Sequence, residues 1–233
     1  MSEKRILEKT VDELDEIRQR YERRKMNLDE KRLYPTFSPF QHYSRAEREF
    51  WFDSVLTRRF LDGFEDVRFL EVGAGDGANL AGFLRLGVRP EHLYANELLP
   101  ERAQRLSRLV HNGNIFIGDA RLVPWNSLDV IFQSMVFSSI LDPAFRQELA
   151  RSLWSRLSSR GLILWYDLRV DNPYNPDVKG LGFEEVCSLF PEATRTEFHR
   201  CTLVPPIGRR VGRLYPFVNL PFLRGHYVAA LYK

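Results

Sequence analysis

The sequence has few of the features that mark secreted, membrane-spanning or metal-binding proteins. Its 233 residues include only two cysteines, Cys187 and Cys201, without the close spacing of metal ligands, so we predict no metal site and two reduced thiols. No apolar run approaches the roughly 20 residues of a transmembrane helix. The charged stretch from Met1 to Arg24 has no apolar core of a signal peptide. These absences favour a cytoplasmic protein.

A strong charge imbalance is also absent. Lys and Arg exceed Asp and Glu by 34 − 31 = 3, and no basic cluster dominates the chain. Nucleic acid is therefore not expected as a partner, because its binding requires a clustered basic face. The 44% hydrophobic content is typical of a globular chain, and the length suits one α/β domain with a short extension.

The first 62 residues predict a helical extension before the main domain, which we place at 63–233. Apolar residues recur at helical spacing between Glu3 and Lys25, a stripe that fits packing on the same domain or against a second copy in a homodimer. Ser44 and Glu47 have the spacing of a capping box, which predicts a second helix from Ser44 to about Leu61. The aromatic, proline-containing stretch 33–43 between them is predicted to be an irregular lid segment.

Short apolar runs alternate with helical segments from Asp66 onward. They predict strands at 67–72, 92–96, 114–117, 128–133 and 161–167, a rhythm typical of βαβ units and a parallel sheet. The last two strands, at 195–203 and 227–232, lack a crossover helix between them and should be antiparallel. The predicted fold is α/β, a Rossmann-like seven-stranded sheet that is mostly parallel with an antiparallel C-terminal edge pair.

A glycine-rich turn follows the first predicted strand. Gly73, Gly75 and Gly77 stand at alternate positions before a helix. Because glycine has no Cβ, such a turn lets the backbone approach a ligand closely. The helix amino end adds free N–H groups that suit a carboxylate or phosphate.

Two acids follow the next two strands. Glu97 stands 97 − 73 = 24 residues after the first glycine, where a carboxylate can accept both ribose hydroxyls. Asp119 ends the third strand and can accept an adenine amino hydrogen, while the Ala120 N–H serves a ring nitrogen. Open α/β sheets bind ligands at this edge, so the three features together predict a nucleotide-like ligand.

Glu71-x-Gly73-x-Gly75-x-Gly77, Glu97 and Gly118-Asp119-Ala120 resemble the motif series of class I S-adenosylmethionine (SAM)-dependent methyltransferases. Segments 133–140 and 164–177 also resemble a bacterial branch associated with surface-polysaccharide or secondary-metabolite gene clusters. The resemblance implies SAM as cofactor and assigns it a set of contacts: Gly73, Ala74 and Gly75 to the methionine part, Glu71 ordering that loop, Glu97 to the ribose, Leu98, Asp119 and Ala120 to the adenine, and Gln133 near the sulfonium. Many relatives have Asp in place of Glu97, which shifts the expected ribose position.

The acceptor predicted from this resemblance is a glycan or small molecule methylated on oxygen, which needs a base for its proton. Candidate catalytic residues are Asp167 at the end of strand five, Tyr166 beside it on the opposite face, and His42 in the lid segment. Asp167 also fits a loop cap, and His42 an ordinary linker residue. The connection 204–224 mixes arginines with large apolar residues, which fits either a cover over an anionic or lipid-linked acceptor or a plain insertion.

Three other functions remain open from sequence. One is modification of RNA, although Gln133-Ser-Met-Val stands where methyltransferases that act on amino groups have Asn/Asp-Pro-Pro-Tyr/Phe, which disfavours methylation of base nitrogens. Gly73-x-Gly75-x-x-Ala78 also fits the relaxed dinucleotide fingerprint of an NAD(P)- or FAD-dependent oxidoreductase. A non-catalytic methyltransferase-like binding subunit would have the same cofactor residues.

Overall fold

A computed structural model of the protein describes residues 3–26 and 37–233. Seven strands form one sheet in the order β3-β2-β1-β4-β5-β7-β6, and β7 runs antiparallel to both its neighbours while the other pairs are parallel. The strands are β1 (Phe69–Val72), β2 (Leu93–Glu97), β3 (Ile115–Ile117), β4 (Leu128–Ser134), β5 (Leu157–Leu168), β6 (Arg195–Leu203) and β7 (Arg224–Tyr232).

Helices precede the sheet and connect its strands. They are α1 (Glu3–Met26), α2 (Pro39–Arg59), α3 (Leu80–Arg85), α4 (Pro100–Ala103), α5 (Pro143–Ser155), α6 (Phe183–Leu189), α7 (Pro205–Val211) and α8 (Tyr215–Val218), with short 3₁₀ turns between some of them. None of these described helices is both long and apolar enough to cross a bilayer.

The predicted seven-stranded sheet is confirmed, with one refinement at its C-terminal end. β7 lies between β5 and β6, so β6 is the edge strand and β7 alone reverses direction. β5 begins at Leu157, earlier than predicted, because Ser159 and Arg160 in its first part are exposed and interrupt the apolar pattern.

The predicted start of the second helix is wrong. Helix α2 begins at Pro39, and the Ser38 side chain accepts the Gln41 N–H at 3.2 Å as the N-cap. Proline is compatible with the first helical turn, where no N–H is needed. Ser44 therefore lies inside the helix rather than capping it, and residues 39–43 are helical rather than an irregular lid.

The sheet is buried on both faces because strand residues alternate between them. Trp165 packs on the face covered by α5 and α6, and Tyr166 on the face covered by α2 and α3. On the second face, the Phe52 ring of α2 lies 5.0 Å from the Phe132 ring of β4. This packing fixes α2 along the sheet and holds its first turns near the carboxyl end of β6.

Candidate cofactor and acceptor site

The glycine turn after β1 is shaped for close approach. Gly73 and Gly75 have φ values of +66° and +60°, which side-chain-bearing residues rarely adopt. A Cβ at Gly73 would lie 2.6 Å from a methyl of Val136, and one at Gly75 would lie 2.6 Å from Arg102 Nη2. The conformation therefore favours glycine at both positions, and at Gly73 the space beside Val136 favours it as well.

Glu97 links this turn to the end of β2. Its buried carboxylate accepts the Gly75 N–H at 2.7 Å and the Leu99 N–H at 3.0 Å. A carboxylate offers about four lone-pair sites, so Glu97 retains capacity to accept hydroxyl groups.

Asp119 after β3 is engaged by a neighbouring cation. Its Oδ1 accepts the Arg121 backbone N–H at 2.9 Å, and its Oδ2 accepts from Arg121 Nη2 at 2.6 Å. Arg121 also donates to Glu148 at 2.6 Å. Asp119 thus caps the turn that carries Ala120, a bond pattern that the sequence did not reveal.

A chain of polar groups lies beneath the glycine turn. Glu71 Oε1 accepts from Asn79 at 2.7 Å, and Arg48 of α2 approaches the Asn79 Oδ1 at 3.4 Å. Glu71 Oε2 and Arg48 Nε are both buried without a hydrogen-bond partner among the described residues. Burial raises the pKa of Glu71 to about 8, because it disfavours the charged form. Sequence reasoning missed Arg48, since nothing in the sequence distinguishes it from the other charges of α2.

A cavity of about 70 Å³ lies where these strand ends meet α1. Five residues predicted to bind the cofactor line it on the sheet side: Gly73, Glu97, Leu98, Asp119 and Ala120. Helix α1 contributes Leu14, Ile17 and Tyr21 on the opposite side. Ligand pockets are typically about 300–1,000 Å³, so this cavity is smaller than a usual ligand pocket.

Buried polar contacts hold α1 over the sheet edge. Arg20 donates to Glu13 at 2.8 Å and to the Ser139 carbonyl at 3.2 Å, and Glu13 accepts the Leu141 N–H at 2.8 Å. Leu14, Ile17 and Tyr21 of the apolar stripe also pack against the core of the sheet. Residues 33–36 of the predicted lid lie outside the described residues, and α1 is the element that covers the cavity.

Asp167 lies at the end of β5 beside the loop that follows β4. Its fully buried carboxylate accepts the Ser138 N–H at 3.0 Å and the Leu168 N–H at 2.8 Å. Burial raises its pKa to about 6, opposed by hydrogen bonds from Ser138, Leu168 and Gln133. Gln133 accepts the Val136 N–H at 3.0 Å, so both residues position the loop that lines the cavity.

The side chains of Tyr166 and His42 have different partners from that of Asp167. The Tyr166 hydroxyl is 3.1 Å from Thr202 Oγ1, its ring stacks on His226, and burial raises its pKa. His42 lies on the first turns of α2 against Tyr43. The three catalytic candidates therefore do not converge on one point.

His42 lines a groove of about 470 Å³ between the start of α2 and the connection from β6 to β7. The groove combines aromatic and cationic side chains: Phe37, His42, Tyr43, Arg45 and Arg213, with Ser38 and Pro39. β6 ends at Leu203 opposite Arg224, which begins β7, so this connection lies at the same sheet edge as the carboxyl end of β5. A further cavity of about 550 Å³ lies near the amino end of β1, where no candidate residue is found.

Glu47 fixes the connection on α2. Its carboxylate accepts the Thr202 N–H at 2.9 Å, the Tyr215 hydroxyl at 2.8 Å and the Asn219 amide at 2.9 Å. The residue predicted to complete a capping box therefore anchors the segment beyond β6 instead.

No protein-family model and no curated protein sequence matches the chain, but solved structures do. The N-methyltransferase NodS from Bradyrhizobium japonicum WM9, in complex with S-adenosyl-L-homocysteine (SAH), is 18% identical with a TM-score of 0.60, over 92% of this chain and 97% of that one. A SAM-dependent methyltransferase from Archaeoglobus fulgidus is 18% identical with a TM-score of 0.54, over 83% and 98%. The CurJ carbon methyltransferase is 14% identical with a TM-score of 0.56, over 79% and 53%.

The chain therefore has the fold of SAM-dependent methyltransferases, which confirms the predicted fold class. Two of the similar structures are a nitrogen and a carbon methyltransferase, so the fold by itself does not define the acceptor atom. The resemblance to one bacterial branch stays a prediction.

Proposed function

We propose that the protein is an enzyme that transfers a methyl group from SAM to an oxygen of a glycan or small-molecule acceptor. The observation that carries this proposal is the meeting of five predicted cofactor residues at one cavity, on a sheet of order 3-2-1-4-5-7-6. When bound, SAM supplies an electrophilic methyl group on its sulfonium.

The residues of this edge fit such a cofactor. Glu97 has the capacity to accept ribose hydroxyls, and Leu98 and Ala120 offer apolar surface to the adenine. Because Arg121 engages both oxygens of Asp119, we assign Asp119 to holding the turn that presents the Ala120 N–H.

The amino-acid end of the cofactor would lie at the glycine turn. Here a carboxylate oxygen of Glu71 and the Nε of Arg48 are buried, and neither has a hydrogen-bond partner in the part of the chain that the structure describes. The Glu71 carboxyl group and the Arg48 guanidinium lie on either side of Asn79, where they can accept from the α-ammonium and donate to the α-carboxylate of a methionine moiety. Arg48 is thus proposed as the carboxylate contact.

Asp167 is the proposed base for the acceptor proton. A carboxylate with a pKa of about 6 is largely deprotonated at pH 7 and close enough to neutrality to accept a proton efficiently. Tyr166 is a poorer base, since its raised pKa keeps it protonated. We place His42 in acceptor binding, in the groove with Arg45 and Arg213, whose charges suit an anionic glycan.

The oxidoreductase alternative is disfavoured by topology. Dinucleotide-binding sheets usually have the order 3-2-1-4-5-6, whereas this chain inserts an antiparallel strand, β7, between β5 and β6. A non-catalytic binding subunit would bind SAM through the same residues, and it would differ from the proposed enzyme only in that it transfers no methyl group.

The proposal is tested by ligand binding followed by turnover. Thermal-shift titrations with SAM, SAH, NADH and FAD should raise the midpoint for SAM and SAH only, because only a ligand bound to the native state stabilises it. SAH formation is then measured over a panel of neutral and anionic glycans. Binding of SAM without SAH formation on any acceptor would support the binding-subunit reading, and a response to NADH alone would overturn the proposal.

A further inference from the structure

The connection from β6 to β7, residues 205–223, presents large apolar side chains to solvent. Leu214, Phe217, Leu220 and Phe222 have relative exposures of 60%, 83%, 46% and 68%. Tyr215, between them, is buried against α2 through its hydroxyl bond to Glu47. Because the inner side of the segment is fixed in this way, the four exposed side chains are directed outward.

The charged side chains within this segment all have one sign. From Phe198 to Lys233 the sequence contains no Asp or Glu. Arg210 and Arg213 are exposed next to the apolar group. Exposed aromatic and aliphatic side chains interspersed with arginine are typical of segments that lie in the interface of an anionic bilayer.

The helices of this segment are short, which fits attachment to one leaflet. Helix α7 has seven residues and α8 has four. Prolines at 205, 206, 216 and 221 divide the segment into short turns, so its apolar side chains project from a compact segment. Such side chains can enter the headgroup region of a bilayer without a complementary groove on a protein partner.

We infer that residues 205–223 dock the protein on an anionic lipid surface, with Phe217 and Phe222 in the interface and Arg210 and Arg213 against lipid phosphates. A second copy of the chain is a poorer occupant. A two-fold contact through this patch would bring together two copies of a segment that carries arginine and no acid. The inference depends on the exposed side chains and their charge, and not on the proposed methyl transfer.

Vesicle flotation tests this inference with the full chain. The protein is mixed with vesicles of phosphatidylcholine alone or of phosphatidylcholine with phosphatidylglycerol, at low and high salt. We expect it to float with the anionic vesicles at low salt, less at high salt, and not with neutral vesicles, because salt screens surface charge. Failure to float with anionic vesicles at low salt would overturn the inference.

Substitutions within residues 205–223 test whether these side chains contact the lipid. Arg210→Glu with Arg213→Glu should weaken vesicle binding at least about 25-fold, since each basic residue near an anionic surface contributes about fivefold. Phe217→Ser with Phe222→Ser should weaken it at least about tenfold. Matched controls make the same changes on other exposed surfaces, Arg108→Glu with Arg151→Glu and Leu61→Ser with Leu122→Ser.

The controls should retain binding and all variants should keep the melting temperature of the parent protein. Equal loss in the controls would show a general charge effect and would contradict the assignment. The inference would also be contradicted if the parent protein did not bind vesicles and light scattering showed that it is a dimer which the Phe217→Ser, Phe222→Ser variant dissociates.

Discussion

Arg20 in helix α1 donates a buried hydrogen bond to the Ser139 carbonyl, 119 positions later in the sequence. The same guanidinium pairs with Glu13, which accepts the Leu141 N–H. These contacts tie α1 to the loop after β4 and make it one wall of the cavity. Helix α1 is therefore part of the proposed cofactor site.

Glu13→Ala should loosen this wall. Removing one partner of a buried ion pair costs about 3–5 kcal/mol, and both side chains here are less than one-tenth exposed. We expect SAH affinity, measured by calorimetry, to fall about tenfold or more. Asp15→Ala on the same helix removes an exposed pair with Arg18 and should leave affinity unchanged. Equal affinity in both variants would show that α1 does not take part in binding.

Gly73→Ala should damage the cofactor turn specifically. The new methyl would meet Val136 at 2.6 Å, in addition to the cost of about 1–2 kcal/mol for a left-handed conformation. Gly87→Ala provides the control, since Gly87 also has positive φ but has nothing within 4 Å. Both variants should melt at lower temperature, and only Gly73→Ala should lose SAH binding. Normal SAH affinity in Gly73→Ala would argue against the proposed site.

Arg48→Gln tests the proposed carboxylate contact by comparing two ligands. SAH carries the amino-acid end, whereas 5′-methylthioadenosine lacks it. We expect SAH affinity to fall about ten- to hundredfold, the range for a hydrogen bond to a charged group. Affinity for 5′-methylthioadenosine should not change, and Arg48→Lys should recover part of the SAH binding. A matching loss for both ligands would mean that Arg48 acts on the fold and not on the carboxylate.

Glu71→Gln should change how stability depends on pH in the unliganded protein. The folded-state pKa of Glu71, about 8, lies above its ordinary value of 4.5. Its stabilising contribution is fully present below pH 4.5 and is lost as the pH rises through 8, because the unfolded chain then favours the charged form. The variant should therefore melt higher than the parent near pH 9 and gain much less near pH 5. Asp76→Asn, in the same loop but exposed, should not reproduce this difference.

Asp167→Asn tests the proposed base. With a pKa of about 6, the parent enzyme should lose kcat/KM as the pH falls through 6 and the carboxylate becomes protonated. The variant should be slower by about 10²–10⁴-fold and should lack this acid limb. Asp171→Asn, which removes a nearby exposed carboxylate, serves as the control. If Asp167→Asn keeps the acid limb, Asp167 only positions the loop after β4.

The sheet and the position of the cofactor residues were predictable because they depend on local patterns. Short apolar runs predict the strands, and Gly73, Glu97 and Asp119 follow strand ends that a parallel sheet brings to one edge. The N-cap at Ser38 was missed because Ser44 and Glu47 match a capping box equally well by spacing. In the structure, Glu47 bonds instead to residues more than 150 positions away.

Contacts that depend on tertiary packing could not be predicted from the sequence. The stripe of α1 reveals that one face is apolar, but not which surface it covers. Arg48 meets Asn79 only because α2 packs along the sheet, and Arg121 engages Asp119 within a turn whose geometry the sequence leaves open. Such contacts depend on tertiary packing, which a local pattern does not encode.

The position of α1 also affects how the chain folds during synthesis. Leu141, whose backbone N–H binds Glu13 of helix α1, is translated 128 residues after Glu13. Until then the apolar stripe has no native surface to cover, and a long loop must close before the helix can dock. Helix α1 can thus reach its native position only after the loop that follows β4 has been synthesised.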